Sequence, residues 1–174
     1  KKNRILINNG IHPGESDGID ASMMLLRDIV QNDSLKKVYK NSLICIIPIY
    51  NSGGALNRNS HTRANQNGPE EYGFRGNART YDLNRDFILG VHPETIGRVK
   101  AINEWHPQLM IDGHEMGAQS TYLFAPAREP INKNLSKYSK KWGNIFANDQ
   151  ASAFDAENWP YYTGEWFENL YPGY

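Results

Sequence analysis

Cysteine is almost missing from this chain: Cys45 stands alone among 174 residues. A single thiol closes no internal disulfide, so the fold must rest on its core, and the cysteine does not identify the compartment. Its setting, Leu43-Ile44-Cys45-Ile46-Ile47, predicts a buried structural thiol rather than a reactive one. An excess charge is also lacking. Nineteen basic residues balance nineteen acidic ones, with no long like-charged block. That leaves no electrostatic footprint for nucleic acid or an anionic membrane. The apolar stretches fall far short of the roughly 20 residues that a membrane helix needs. No secretory signal pattern opens the chain, which begins almost directly on an apolar strand, as if leading residues were trimmed or lay upstream. No internal repeat or low-complexity linker is present. What remains is ordinary for a globular protein: 39% hydrophobic and 22% charged residues, enough for one domain with a real core.

Residues 4–8 read as a buried strand. Ser16 to Val30 reads as a helix, with Ser16 or Asp17 as its cap and Ile19, Met23, Leu26 and Val30 at core-facing helical spacing. Asn32-Asp33-Ser34 ends that element. Leu43 to Ile49 is a near-continuous apolar run, suited to a strand covered on both faces. Strand, helix and strand with long crossovers predict an α/β fold with a parallel sheet. A helix from Pro93 carries Ile96, Val99 and Ile102 on one face and ends at His106-Pro107. Leu109 to Ile111 reads as a strand, and Thr121 to Ala125 as a shorter one. A further helix is expected from Ile131 to Phe146, with Leu135, Tyr138, Trp142 and Ile145 on one face. Trp159 to Tyr174, aromatic and punctuated by Pro and Gly, carries no assignment.

The chemistry concentrates where strands end. Ile11-His12-Pro13-Gly14-Glu15 follows the first strand. Pro13 and Gly14 oppose a helix and favour a tight loop, which would turn His12 and Glu15 to one point at the carboxyl end of a strand. Imidazole nitrogen and carboxylate oxygen are both good zinc ligands, and catalytic sites combine three protein ligands with one open position. His114, in Asp112-Gly113-His114-Glu115, also follows a strand, so adjacent parallel strands could complete a two-His, one-carboxylate site. Between them, Asn51 to Thr80 is rich in Asn, Gly and Arg and has no clear period, which predicts a long irregular loop. Arg58, Arg63, Arg75, Arg79 and Arg85 lie in or just after it. They are either a solvated polar surface or a site for an anionic group, since guanidinium matches carboxylate bidentately.

Taken together these residues resemble the zinc carboxypeptidases, the family that includes pancreatic carboxypeptidase A. The family's His-x-x-Glu and distant His match His12, Glu15 and His114. Its Asp-x-Asn-Arg matches Asp82, Asn84 and Arg85, and its Asn-Pro-Asp-Gly turn has a weaker counterpart in Asn51-Ser52-Gly53-Gly54. The resemblance implies an α/β fold with a mixed, largely parallel sheet flanked by helices. Residues 1–174 would be the N-terminal portion of a catalytic domain whose last strands lie beyond it. It implies Zn2+ held by His12, Glu15 and His114, with Asp82 fixing the tautomer of His12. Asn84 and Arg85 would bind the terminal carboxylate of a peptide or peptide-like substrate. An arginine of the preceding loop, Arg63 or next Arg58, would stabilise the oxyanion. A secreted or periplasmic location is likewise implied only by the resemblance.

Two departures stand out. The family signature ends Asn-Arg-Asn, whereas Asp86 stands here, an extra carboxylate beside Arg85 that would either weaken capture of an anionic terminus or alter its preference. The general-base glutamate expected well downstream of the third ligand has no counterpart in context: Glu115 adjoins a ligand, and Glu157, Glu165 and Glu168 lack a late apolar strand. Tyr161, Tyr162, Tyr171 and Tyr174 are no safe substitutes for the tyrosine that closes over substrate. Two other functions share parts of the pattern. Zinc amidohydrolases of the aspartoacylase or succinylglutamate desuccinylase type carry similar motifs, but usually a Gly where Pro13 stands. A non-catalytic peptide-binding module would tolerate the missing base.

Overall fold

The computed structural model describes residues 2–63, 69–117, 120–123 and 132–163. The chain divides into two compact units, Lys1–Ala118 and Gln119–Tyr174. The first is built on a three-stranded parallel sheet of β1 (Asn3–Asn8), β2 (Ser42–Ile47) and β5 (Leu109–Asp112), in the order β2-β1-β5. Ile5, Leu6 and Ile7 place branched apolar side chains on the central strand, and Leu6 and Ile7 are buried there. Asn8 pairs with Ile47 on one side and with Asp112 on the other, so the three strands end level.

Helices connect them: α1 (Asp17–Gln31) and α2 (Asp33–Tyr39) between β1 and β2, and α4 (Pro93–Trp105) before β5. Pro93 opens α4, where its missing N–H costs nothing, and His106 closes it in the left-handed conformation at φ 49°. Between β2 and α4 lie α3 (Ser52–Leu56), a minimal hairpin of β3 (Arg58–Asn59) with β4 (Tyr72–Gly73), and a 3-10 turn over Leu83–Arg85. The second unit contains β6 (Tyr122–Leu123), α5 (Lys137–Glu157) and β7 (Tyr161–Tyr162), with β6 and β7 parallel. Phe154 packs edge-on against Tyr122, Trp159 and Tyr161. No helix among the described residues is long and apolar enough to cross a membrane.

Several expectations are overturned. Asn32 ends α1 as expected, but its side chain also accepts from the N–H groups of Ser34 and Leu35 and starts a second helix, α2, that the pattern does not mark. The Asn51–Thr80 stretch carries short elements. The last helix runs Lys137–Glu157, not 131–146, because the Ser136 side chain caps it by accepting from Ser139 N. Thr121–Ala125 yields a strand at Tyr122–Leu123, and residues 124–125 lie outside the described residues. So do residues 64–68 of the long loop, 131 of the expected helix, and 164–174 with Glu165, Glu168, Tyr171 and Tyr174.

Cys45 is exposed, not buried. Among the described residues β2 lies at the sheet edge, where alternation along the strand leaves Leu43 and Cys45 on an open side. The apolar stripe of α1 is not core either: Met23, Leu26 and Val30 are exposed, while Ser22 is buried. On α4 the buried side chains are Thr95 and Arg98, and Ile96 and Val99 face out. A helical period identifies an apolar face, but not whether anything covers it.

Candidate metal centre

Beyond β1 the chain keeps parallel company for a few residues more. Asn9 N–H donates to Ile47 O, Tyr50 N–H to Asn9 O, and Asn51 N–H to Gly10 O. Gly10, at φ +66°, then turns the chain where a Cβ would stand 3.2 Å from Ile49 Cα. The next residues close a tight turn, with Glu15 N–H donating to His12 O at 2.9 Å. The turn is held from behind by Asn51, fully buried, whose side chain accepts from Gly54 N and donates to the carbonyls of Ile11 and Arg75. The β3–β4 hairpin presses on it so closely that a Cβ on Gly73 would lie 2.6 Å from Pro13 Cβ. On the other side β5 delivers its exit, with Gly113 N–H donating to Asn8 O at 2.8 Å.

This scaffold brings His12, Glu15 and His114 to one point. One donor atom from each lies within 4.8 Å of the others. His12 Nδ1 is 2.9 Å from Glu15 Oε1, and His114 Nδ1 is 3.1 Å from Glu15 Oε2. His12 and Glu15 are buried, and His114 is the exposed member. The outer nitrogens are also engaged: His12 Nε2 is 3.0 Å from Asp82 Oδ1, and His114 Nε2 is 3.1 Å from Asp112 Oδ2. This donor set suits a metal. A ligating imidazole offers one nitrogen to the ion and gives its other N–H to a carboxylate, which fixes ring and tautomer. Two imidazoles and one carboxylate are the set of a catalytic zinc site with a position left open.

The charges around this point are strongly coupled. Burial pushes the Glu15 carboxyl up, but hydrogen bonds from His114, His12 and the Glu115 N–H outweigh it and hold the group far below the usual carboxylate range. The Asp112 and Glu15 carboxylates raise His114 to about 9. Asp82 and Asp112 are both lowered despite burial, Asp82 by His12, Asn84 N–H and Arg75, Asp112 by His114, Asn8 and Arg98.

The arginines separate into two groups. Arg63 Nη2 donates to Glu15 Oε1 at 2.8 Å. Arg58, exposed on β3, donates instead to the Glu71 carbonyl. Arg75, which sequence reading left without a role, donates through Nε to Asp82 Oδ2 at 2.9 Å and stands 3.8 Å from Glu15. Asp82 also caps the turn that follows by accepting from Asn84 N–H, so the residue that faces His12 launches Asn84 and Arg85. Asn84 is half-buried and Arg85 exposed, its Nη1 donating to Asn84 O.

Asp86 does not act as expected from its place beside Arg85. It is buried, and its two oxygens accept from the N–H groups of Val91 and His92. Asp112 and Asn8 are site residues that sequence reading missed. The available signal was spacing, since Asp112 precedes His114 by two residues at a strand end. Glu157, named among the poor candidates for the base, lies at the exposed end of α5 in the second unit.

No curated protein matches the chain. Solved structures share its fold, among them two carboxypeptidases. One is a metallo-carboxypeptidase from Burkholderia cenocepacia, 18% identical, with a TM-score of 0.70 over 97% of this chain and 42% of that one. The other is a protein named as a carboxypeptidase A from Shewanella denitrificans OS-217, 23% identical, with a TM-score of 0.69 over 99% of this chain and 42% of that one. The chain thus spans less than half the length of either. The zinc carboxypeptidase family model matches residues 1–100, more than half of the sequence, and with the shared fold this places the chain in the zinc carboxypeptidase family.

Proposed function

We propose that the protein to which this chain belongs hydrolyses the C-terminal peptide bond of peptides in a zinc-dependent reaction. The observation that carries the reading is the meeting of His114 with His12 and Glu15, which lie far from it in sequence, with each imidazole backed by its own carboxylate. These three would hold the ion, which supplies Lewis acidity and activates water at neutral pH. The remaining work falls to the chain's own groups. Asp82 and Asp112 orient the imidazoles. Arg63, ion-paired to Glu15, would stabilise negative charge on the scissile carbonyl oxygen. Asn84 and Arg85, carried on the turn that Asp82 caps, bind the substrate's terminal carboxylate, for which the exposed guanidinium offers a planar fork. Binding that carboxylate is what selects the last peptide bond over internal ones.

The test uses matched peptides with free and amidated C termini and the protein containing this chain. Release of the last residue from the free peptide, lost on chelation and restored by zinc, is expected. Arg85→Ala should raise KM at least tenfold. Equal cleavage of the amidated peptide would overturn the reading, as would hydrolysis confined to N-acyl amino acids.

A further inference from the structure

We infer that Arg98 is a positioning residue for the metal centre, holding the Asp112 carboxylate against His114. The inference rests on the reading of His114 as a ligand. Arg98 lies on α4, outside the motifs that mark the site, and is 8% exposed. Its Nη1 is 3.3 Å from Asp112 Oδ1, which also accepts from Asn8 Nδ2 at 2.7 Å. With Oδ1 occupied from two sides, Oδ2 is the oxygen turned to His114 Nε2 at 3.1 Å. The guanidinium is fixed by rings as well: its carbon is 3.9 Å from the Phe87 centroid and 5.1 Å from that of Tyr50.

A buried guanidinium is a costly choice if packing is all that is required, because an apolar side chain of similar volume fills such a place without desolvating a charge. Among the described residues, Asp112 is the carboxylate within ion-pair distance of Arg98. The ion pair spans from α4 to the exit of β5, two residues before His114. Arg98, together with Asn8, therefore sets which way Asp112 faces, and Asp112 sets which way the imidazole faces.

The experiment measures zinc and cobalt(II) affinity of the full chain by competition with a chromophoric chelator, alongside the cobalt(II) visible band. Wild type is compared with Arg98→Met, Arg98→Lys, Asp112→Asn and the Arg98→Met/Asp112→Asn double variant. Loss of Asp112 should weaken zinc binding about 10–100-fold, the usual range for a carboxylate behind a ligating histidine. Arg98→Met should weaken it at least several-fold and shift the cobalt band. The double variant should bind no more weakly than Asp112→Asn, since Arg98 acts through Asp112. A folded Arg98→Met chain with wild-type affinity and band overturns the inference, as do additive losses. A drop in urea midpoint with unchanged affinity marks Arg98 as structural only and also overturns it. If Arg98→Met does not fold, Arg98→Lys decides: it keeps the charge but not the planar fork, and an unchanged cobalt band contradicts the inference. If wild type binds no metal, or His114→Ala binds as tightly as wild type, the metal centre itself is refuted, a separate result.

Discussion

At the scale of single residues, the site depends on carboxylates that stand behind histidines. His12 and Glu15 were legible because Pro13 and Gly14 force a turn between them, and His114 because it follows an apolar strand. Asp112, Arg75 and Asn8 were not, since their partners come from other elements and only packing brings them together. Asp82→Asn should weaken zinc binding about 10–100-fold with the fold retained; chelator competition checks this, and an unchanged constant would remove Asp82 from the site. Asp86 shows a different use of charge. Burial pushes its carboxyl up, but the N–H groups of His92 and Val91 outweigh that and lower it below the ordinary range. A lowered folded-state value means full stabilisation above the unfolded pKa of about 3.9, lost as pH falls through the folded value. The urea-midpoint gap between wild type and Asp86→Asn, both in chelator, should therefore be widest near neutrality and narrow below about pH 4. A gap independent of pH would contradict this.

At the scale of elements, periodicity marked α1 and α4 well and said nothing of α3, whose Ser-Gly-Gly-Ala-Leu sequence has little helix propensity. That turn of helix exists because Asn51 caps it, and the same side chain anchors the Ile11 carbonyl just before the His12 turn. Truncation at Asn51→Ala removes a cap and leaves buried groups without partners. A cost of about 1–3 kcal/mol is expected, read from urea unfolding of the metal-free chain, and a change within error would show that the turn holds without it. The apolar stripes of α1 and α4 carry the opposite lesson. Their spacing is helical yet the stripes are not core, because a period fixes which residues share a face and leaves open what lies against it. The edge position of β2 exposed Cys45 for the same reason, since strand order is a long-range property that local pattern does not encode.

At the scale of the whole molecule, the alternation of strands and helices implied a parallel sheet, and the order β2-β1-β5 places both ligand-bearing strand ends side by side. The division into two units was not legible, because no linker composition marks residue 118. Because the centre gathers ligands from β1 and β5 exits, occupying it should stabilise the first unit as a whole. Zinc at about 100 times its dissociation constant should add roughly 2.7 kcal/mol to unfolding of that unit, seen as a rise in its urea midpoint that His114→Ala abolishes. The most direct test of the account is metal content: the chain is stripped, reloaded with excess zinc, desalted and analysed for zinc and protein. The account predicts one zinc per wild-type chain and little in His12→Ala, Glu15→Gln or His114→Ala, each still folded. Zinc absent from wild type, or retained undiminished by all three variants, would contradict it.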